Sequence, residues 1–224
     1  MVWYKNPLDY FLNESLPEFD MYFQDDGSRA ERYSPYSANS GFYYVRSNNR
    51  TKHLFRHFIY SADLITAWSS HQAVLIALLA EHNLLMGLSV KIFAKEMEEF
   101  PGGSQFHYKK DAMKKLMRGE SDAIIFHMSF TKNKDDKVEF LQQMGEWYLK
   151  DECMGKLAHE ITNEMSNSLS SNDEMANHCC STELIITCHY RDKPSKIPCP
   201  DSPLIAKTGK TFYKAFDQKQ GGFW

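Results

Sequence analysis

Residues 39–46 read Asn-Ser-Gly-Phe-Tyr-Tyr-Val-Arg, and the fold prediction starts from them. Small polar residues come first, and an apolar, aromatic run that ends in a cation follows; this predicts a loop leading into a buried strand. Gly41 permits a sharp turn or the close approach of a ligand. Asn39 and Ser40 add short hydrogen-bonding side chains at the mouth of the strand, where α/β folds bind ligands. On this stretch alone, an ordinary strand start is the simpler explanation.

Strands and helices alternate along the first 150 residues. The apolar patterns predict strands at residues 2–4, 19–24, 88–93 and 121–128, and helices at 8–12, 49–65, 71–82, 111–117 and 138–148. Asn49 is predicted to cap the first long helix. The continuous apolar run at residues 123–126 is typical of a buried parallel strand. The alternation predicts a layered α/β domain over residues 1–150.

The remainder of the chain has a different composition. Residues 151–182 turn to Ser, Asn and Glu, which predicts a flexible linker, and residues 183–224 are predicted to be a loop-rich tail with a short strand at 184–187. Every cysteine lies in this part of the chain: Cys153, Cys179, Cys180, Cys188 and Cys199. Their clustering favours disulfides in a secretory-pathway protein, and a small zinc site at His178 and its neighbouring cysteines is the weaker alternative.

Charge and hydropathy exclude several kinds of partner. A net charge of -3 gives no electrostatic reason to expect nucleic acid or an anionic membrane as a partner. No apolar run reaches the roughly 18 to 20 residues that a membrane span needs, and no signal-peptide pattern is present. Glycosylation sequons at Asn13 and Asn49 point, like the cysteines, to the lumen of the secretory pathway.

Three places in the sequence combine residues that can carry chemistry. His127 ends a predicted buried strand, and Lys132 and Lys134 follow it. An imidazole can bind a divalent cation and ammonium groups can hold phosphate oxygens, whereas a solvated basic face is the plain alternative. Residues 71–72, His-Gln, start a buried helix and can face a cleft. Residues 25–26 are adjacent acids before a glycine, a pattern more typical of a turn than of a catalytic pair.

Three segments, in order, resemble the nucleotide-diphospho-sugar transferases related to plant arabinosyl- and xylosyltransferases: residues 2–8, 39–44 and 127–132. The resemblance spans roughly residues 1–150. It implies a GT-A-like (Rossmann-like) mixed sheet flanked by helices, a nucleotide-sugar donor such as a UDP-sugar, and a glycan or glycoprotein acceptor. It also implies a divalent metal of the manganese type, retention of the anomeric configuration, and a place in the Golgi or the secretory-pathway lumen.

The resemblance also implies roles for individual residues. Asn39, Ser40 and Gly41 match a small-residue motif that lines the donor sugar. His127 matches a metal ligand, and Lys132 or Lys134 matches the lysine that binds the diphosphate.

Two features depart from the family pattern. Gln72 matches the glutamine of an Asp-Gln pair near the anomeric carbon, but His71 stands where the aspartate is expected. The metal-binding Asp-x-Asp motif of the family immediately precedes the segment that starts at Val2, so we expect this chain to lack it and any upstream membrane anchor. Weak metal binding and weak transfer are then expected. A non-catalytic carbohydrate-binding or interaction module on the same fold is the alternative.

Overall fold

The computed structural model describes residues 1–95, 97–131, 133–144, 146–147, 149, 153, 155–157, 159–160, 163, 185–186 and 205–206. The chain divides into two units, Met1–Leu116 with Ser121–Thr131, and Met117–Glu120 with Lys132–Trp224. Most of the predicted linker at 151–182 and of the tail at 183–224 lies outside the described residues. These two boundaries, and a domain end near residue 150, therefore stay predictions.

A three-stranded mixed sheet is the centre of the first unit. Its middle strand is β2 (Met21–Asp25), which pairs antiparallel with β3 (Ala38–Val45) and parallel with β4 (Val90–Ile92). A separate pair of short strands, β1 (Val2–Trp3) and β5 (Ile125–Phe126), is antiparallel. In the second unit, β6 (Ile185–Ile186) pairs antiparallel with β7 (Ile205–Ala206). The predicted strand at 184–187 is thus present.

The helices flank this sheet, and their bounds follow the chain order. In the first unit they are α1 (Pro7–Phe11), α2 (Asn49–Tyr60), α3 (Ala62–Trp68), α4 (His71–Met86), α5 (Gly103–Tyr108) and most of α6 (Lys110–Arg118), with a 3-10 turn at Glu31–Tyr33. The second unit contains α7 (Lys134–Gln143). Ser70 caps α4, because its side chain accepts a hydrogen bond from the amide of Ala73. Gly87, in a left-handed conformation, ends the same helix.

Both faces of the sheet are covered, since side chains alternate along each strand. Met21 and Phe23 of β2 are fully buried in a cluster with apolar residues of α2 and α4. Tyr22, between them, is buried in an aromatic cluster with Phe11, Phe42, Phe93 and Phe100. Burial of each such side chain stabilises the fold by about 1.5–3 kcal/mol. The continuous apolar run of β2 follows from this two-sided burial.

Asp20, just before β2, joins three elements of the first unit. Its carboxylate accepts hydrogen bonds from Arg50 Nε and Nη2 (2.9 and 2.8 Å), from Asn48 Nδ2 (2.6 Å) and from the amide and hydroxyl of Ser89 (2.9 and 3.0 Å). The hydrogen bond from Arg50 is the main reason that the pKa of Asp20 lies well below its usual range. The starts of β2, α2 and β4 are thereby linked through one carboxylate.

Two predictions about α2 are wrong. Asn48 and not Asn49 is its cap: the Asn48 side chain accepts from the amide of Thr51, and the Thr51 hydroxyl accepts from the amide of Asn48. The helix also ends at Tyr60 and does not run on to residue 65. Ser61 breaks it, because the Ser61 hydroxyl donates to the carbonyl of His57 and its backbone leaves helical geometry.

Other boundaries also differ from the prediction. β3 already starts at Ala38, so residues 39–41 lie within the strand and not in a loop before it. The strand predicted at 121–128 is buried as expected, but it is short and pairs antiparallel with β1. The expected parallel pairing is limited to one isolated bridge between Gly102 and His127. The buried helix extends to Met86, and the helix predicted at 138–148 is α7.

Of the five cysteines, Cys153 is the one that belongs to the described residues. Cys153 is buried and disulfide-bonded. The other four cysteines and His178 lie outside the described residues. Of the helices in the described part of the chain, none is long and apolar enough to cross a membrane.

Candidate functional site

The pairing of β2 with β3 is irregular at one point. The register shifts there, so that the single residue Gln24 of β2 lies opposite residues 39–42 of β3. Extra residues of this kind leave the ladder of strand hydrogen bonds and are frequent next to active sites. The side chain of Asn39 supplies a local substitute, because its Oδ1 accepts from the amide of Gly41 at 2.7 Å. The polar groups of residues 39–41 can therefore make contacts outside the sheet.

Ser40 connects this bulge to the start of α4. Its amide and its hydroxyl both lie 3.1 Å from Gln72 Oε1, to which they donate. The Ser40 hydroxyl oxygen also lies 3.0 Å from His71 Nε2. Because the hydroxyl proton is directed at Gln72, the contact is satisfied when His71 Nε2 donates to the Ser40 oxygen. His71 itself is exposed.

The side chains of Asn39, Ser40, His71 and Gln72 form a group that we call the polar cluster, and Asp26 lies at its centre. The sequence pattern did not indicate this role. Its Oδ1 accepts from Gln72 Nε2 at 2.9 Å and from Asn39 Nδ2 at 3.3 Å. Burial raises its pKa above the usual range for a carboxyl group. Its neighbour Asp25 instead pairs with Arg29 and accepts from the amide of Gly27, as expected of a turn. Only one member of the acidic pair therefore belongs to the site.

His127 lies against the same bulge from the other side. Gln24 Nε2 donates to the carbonyls of Phe100 and Pro101 (2.8 and 2.9 Å), so its Oε1 is the acceptor for His127 Nδ1 at 3.1 Å. This arrangement fixes the tautomer and leaves the lone pair on His127 Nε2. A β-carbon at Gly41 would lie 2.7 Å from that nitrogen. The imidazole therefore occupies the space that a side chain at position 41 would need.

The structure brings six of the predicted site residues into one cluster of the first unit: Asn39, Ser40, Gly41, His71, Gln72 and His127. Asp26 and Gln24 join them through hydrogen bonds to Gln72 and His127, which no local sequence pattern indicates. Lys132 lies outside the described residues, and Lys134 is an exposed residue at the start of α7 in the second unit. The roles of all eight predicted residues remain predictions.

Metal binding depends on how many ligand side chains the cluster brings together. In the described ranges, no group of three or more His, Cys, Asp or Glu side chains is arranged to hold a metal ion. His127 is thus a single candidate ligand, and one imidazole does not make a closed coordination shell. A metal ion at His127 would therefore need its other ligands from a bound molecule or from residues outside the described ranges.

A family model gives the relationship of the chain. The model of the nucleotide-diphospho-sugar transferases matches residues 1–141. The chain belongs to the nucleotide-diphospho-sugar transferase family. The matched region contains the mixed sheet, its flanking helices and the whole polar cluster, so the predicted GT-A-like mixed α/β fold is confirmed. Searches among curated proteins and among solved structures give no match.

Proposed function

We propose that the chain is a nucleotide-sugar-dependent glycosyltransferase that moves a sugar from a UDP-sugar to a hydroxyl of a glycan or glycoprotein acceptor. The observation that carries the proposal is the polar cluster around Asp26 in a member of the transferase family. One N–H of the Gln72 amide and one of the Asn39 amide are bonded to Asp26. We assign the second N–H of each to hydroxyl groups of the donor sugar.

We call residues 39–41 and Gln72 the polar wall. Hydrogen bonds hold these residues in place before any sugar binds, which favours catalysis by positioning. Gln72 is held at both ends of its amide, by Asp26 and by Ser40, so its orientation cannot reverse without loss of these contacts. In the transfer, the bond from the anomeric carbon to the diphosphate oxygen breaks and its electron pair goes to the diphosphate. The acceptor oxygen bonds to the same carbon on the same face, and its proton passes to the departing diphosphate. Retention of configuration follows from this same-face exchange.

A divalent ion of the manganese type is part of the proposal, with His127 Nε2 as its ligand from this chain and Lys132 or Lys134 as the diphosphate-binding lysine. Such an ion would neutralise charge on the diphosphate. With one protein ligand among the described residues, we expect the protein alone to bind manganese weakly. The wall of residues 39–41 and Gln72 is then the chain's own contribution to transfer.

We further propose that the protein works in the Golgi or the secretory-pathway lumen. The disulfide at Cys153 supports an oxidising compartment. Cleavage of this disulfide by a reductant in a purified sample, followed by a thermal unfolding scan, would measure how much the second unit depends on it.

Calorimetric titration of UDP, with and without manganese, tests the proposal. The protein should bind UDP, manganese should raise the affinity, and His127→Ala should abolish that increase while His53→Ala, an exposed histidine on α2, leaves it intact. Gln72→Ala should retain UDP binding and lose sugar transfer from a panel of UDP-sugars. Sugar binding that ignores metal, in a protein that does not bind UDP, would instead favour the non-catalytic carbohydrate-binding module.

A further inference from the structure

Three aromatic rings cluster on the surface of the first unit. They belong to His107 and Tyr108, which end α5, and to Phe130; we call them the aromatic platform. The ring centroids of His107 and Phe130 are 6.3 Å apart, those of Tyr108 and Phe130 6.5 Å, and those of His107 and Tyr108 6.1 Å. Tyr108 is 72% exposed and Phe130 is 38% exposed. The planes of Tyr108 and Phe130 are inclined at 88°, so each exposed ring offers its own apolar face to a ligand.

The platform is held in place by specific contacts. Phe130 has a left-handed backbone (φ 59°), which a bulky residue keeps only where its surroundings impose it, often at functional sites. His107 Nε2 lies 3.0 Å from the carbonyl of Phe130 and donates to it. The amide of Gly103 donates to the Ser129 hydroxyl at 3.0 Å, and a β-carbon at Gly103 would clash with the Ser129 backbone. The ends of α5 and the segment before Phe130 are thus fixed to one another.

The platform also adjoins the polar cluster directly. Gly27 follows Asp26, and a β-carbon at Gly27 would lie 3.1 Å from Phe130 Cε2. The Phe130 ring therefore covers the backbone immediately after the carboxylate that holds Gln72 and Asn39. A molecule that reaches past this polar wall meets the ring next.

We propose that the aromatic platform binds a sugar ring of the acceptor glycan, an inference that rests on the proposed transferase function. The apolar C–H face of a sugar packs on an aromatic ring, while its hydroxyls stay in contact with water and polar groups at the edge of the ring. An acceptor must place its hydroxyl at the donor's anomeric carbon, so its subsite adjoins the donor sugar. The nucleoside of the donor is separated from that sugar by a diphosphate. The position beside Asp26 therefore suits the acceptor better than the nucleoside.

The experiment compares two kinds of probe on the full chain. The saccharide probes are methyl glycosides and di- and trisaccharides of arabinose, xylose, galactose and glucose, and the nucleotide probe is UDP, both followed by saturation-transfer NMR and calorimetry. For the saccharide that the wild type binds most tightly, Tyr108→Ala and Phe130→Ala should each weaken binding about tenfold. Tyr108→Phe should restore affinity to within about twofold of wild type, and UDP affinity should not change. Tyr60→Ala, which removes a 79% exposed ring on α2, is the matched control and should change neither.

Each outcome bears on the proposal. Loss of UDP affinity in Tyr108→Ala would show that the rings contact the nucleoside. Absence of saccharide binding by the wild type at about 10 mM, which is weaker than the weakest specific complexes, would show that the rings bind no sugar. Either result overturns the proposal. Platform-dependent saccharide binding in a protein that fails to bind UDP would keep the platform and refute the transferase function. Thermal unfolding of each variant checks folding, and because Tyr108 is exposed, Tyr108→Ala tests the proposal even where Phe130→Ala unfolds.

Discussion

Gly41→Ala tests the close packing of His127 on β3. The new β-carbon would lie 2.7 Å from His127 Nε2 and closer still to His127 Cε1, whereas ordinary contact begins at 3.4 Å, so the imidazole must retreat by more than about 0.7 Å. The retreat breaks the hydrogen bond from His127 Nδ1 to Gln24 Oε1. Loss of that bond costs about 1 kcal/mol and overpacking about 1–3 kcal/mol, so we expect a loss of about 2–4 kcal/mol in the free energy of unfolding.

Denaturant unfolding and thermal scans of the purified chain measure this loss. At about 3 °C for each kcal/mol, the midpoint of the first unit should fall by about 6–12 °C. Gly87→Ala is the control for backbone effects, because Gly87 has φ 64° and, in the part of the chain that the structure describes, no atom lies within 4 Å of an added β-carbon. It should cost about 1 kcal/mol.

A double-mutant cycle decides whether the imidazole is the cause. In a His127→Ala background the clash is gone, and Gly41→Ala should cost less than about 1 kcal/mol. An equal cost of Gly41→Ala in both backgrounds would refute the reasoning, because the strain would then come from Asn39 or from the strand itself.

Three further predictions concern buried titratable groups. Burial raises the pKa of Asp26, so its neutral form is favoured by folding below about pH 4, and this contribution is lost as the pH rises through the folded pKa. Asp26→Asn should therefore unfold at a higher temperature than the wild type at pH 7, with a gain that disappears near pH 4, and should lose transfer activity. The pKa of Asp20 is depressed, so its stabilisation is present above about pH 4 and is lost only as the pH falls through the folded pKa. Asp20→Asn should therefore cost about 2–3 kcal/mol at pH 7 by denaturant unfolding and nearly as much at about pH 4, with the cost shrinking at lower pH. His82 is 3% exposed, and its Nδ1 has no hydrogen-bond partner among the described residues. Burial, with His53 and His57 nearby, lowers its pKa, so stability should fall below about pH 6.5 by up to about 1.4 kcal/mol per pH unit. His82→Phe should flatten that dependence in thermal scans from pH 7.5 to 5.5, and an unchanged slope would assign the dependence to other groups.

Much of the fold follows from local sequence signals. Apolar periodicity predicts the strands and long helices, because each needs a buried face that the period reveals. Which strands pair, and where a helix or strand ends, is decided by contacts between distant residues. β5 pairs with β1, more than 120 positions earlier in the chain, and its short apolar run indicates neither that partner nor its direction. The break at Ser61 depends on a single side-chain hydrogen bond within an otherwise helical pattern.

The candidate site shows the same limit. Short motifs and the family resemblance predict residues 39–41, Gln72 and His127, because these residue types recur with a characteristic order. Gln24 and Asp26 enter the site only through the register shift and through partners 103 and 46 positions away, His127 and Gln72. Such contacts have no local signature in the sequence.

The bulge in β3 also bears on how this family can change in length during evolution. The pairing of Asp25 with Ala38 and the hydrogen bond from the amide of Asp26 to the carbonyl of Ser37 close the connection between β2 and β3. Insertions or deletions among residues 28–36 would leave these anchors in place, since loop tips tolerate them. A one-residue insertion within 38–45 would exchange the two faces of β3, moving Phe42 out of the aromatic cluster and the polar wall into it. Insertions and deletions among relatives should therefore occur in residues 28–36 and not within β3.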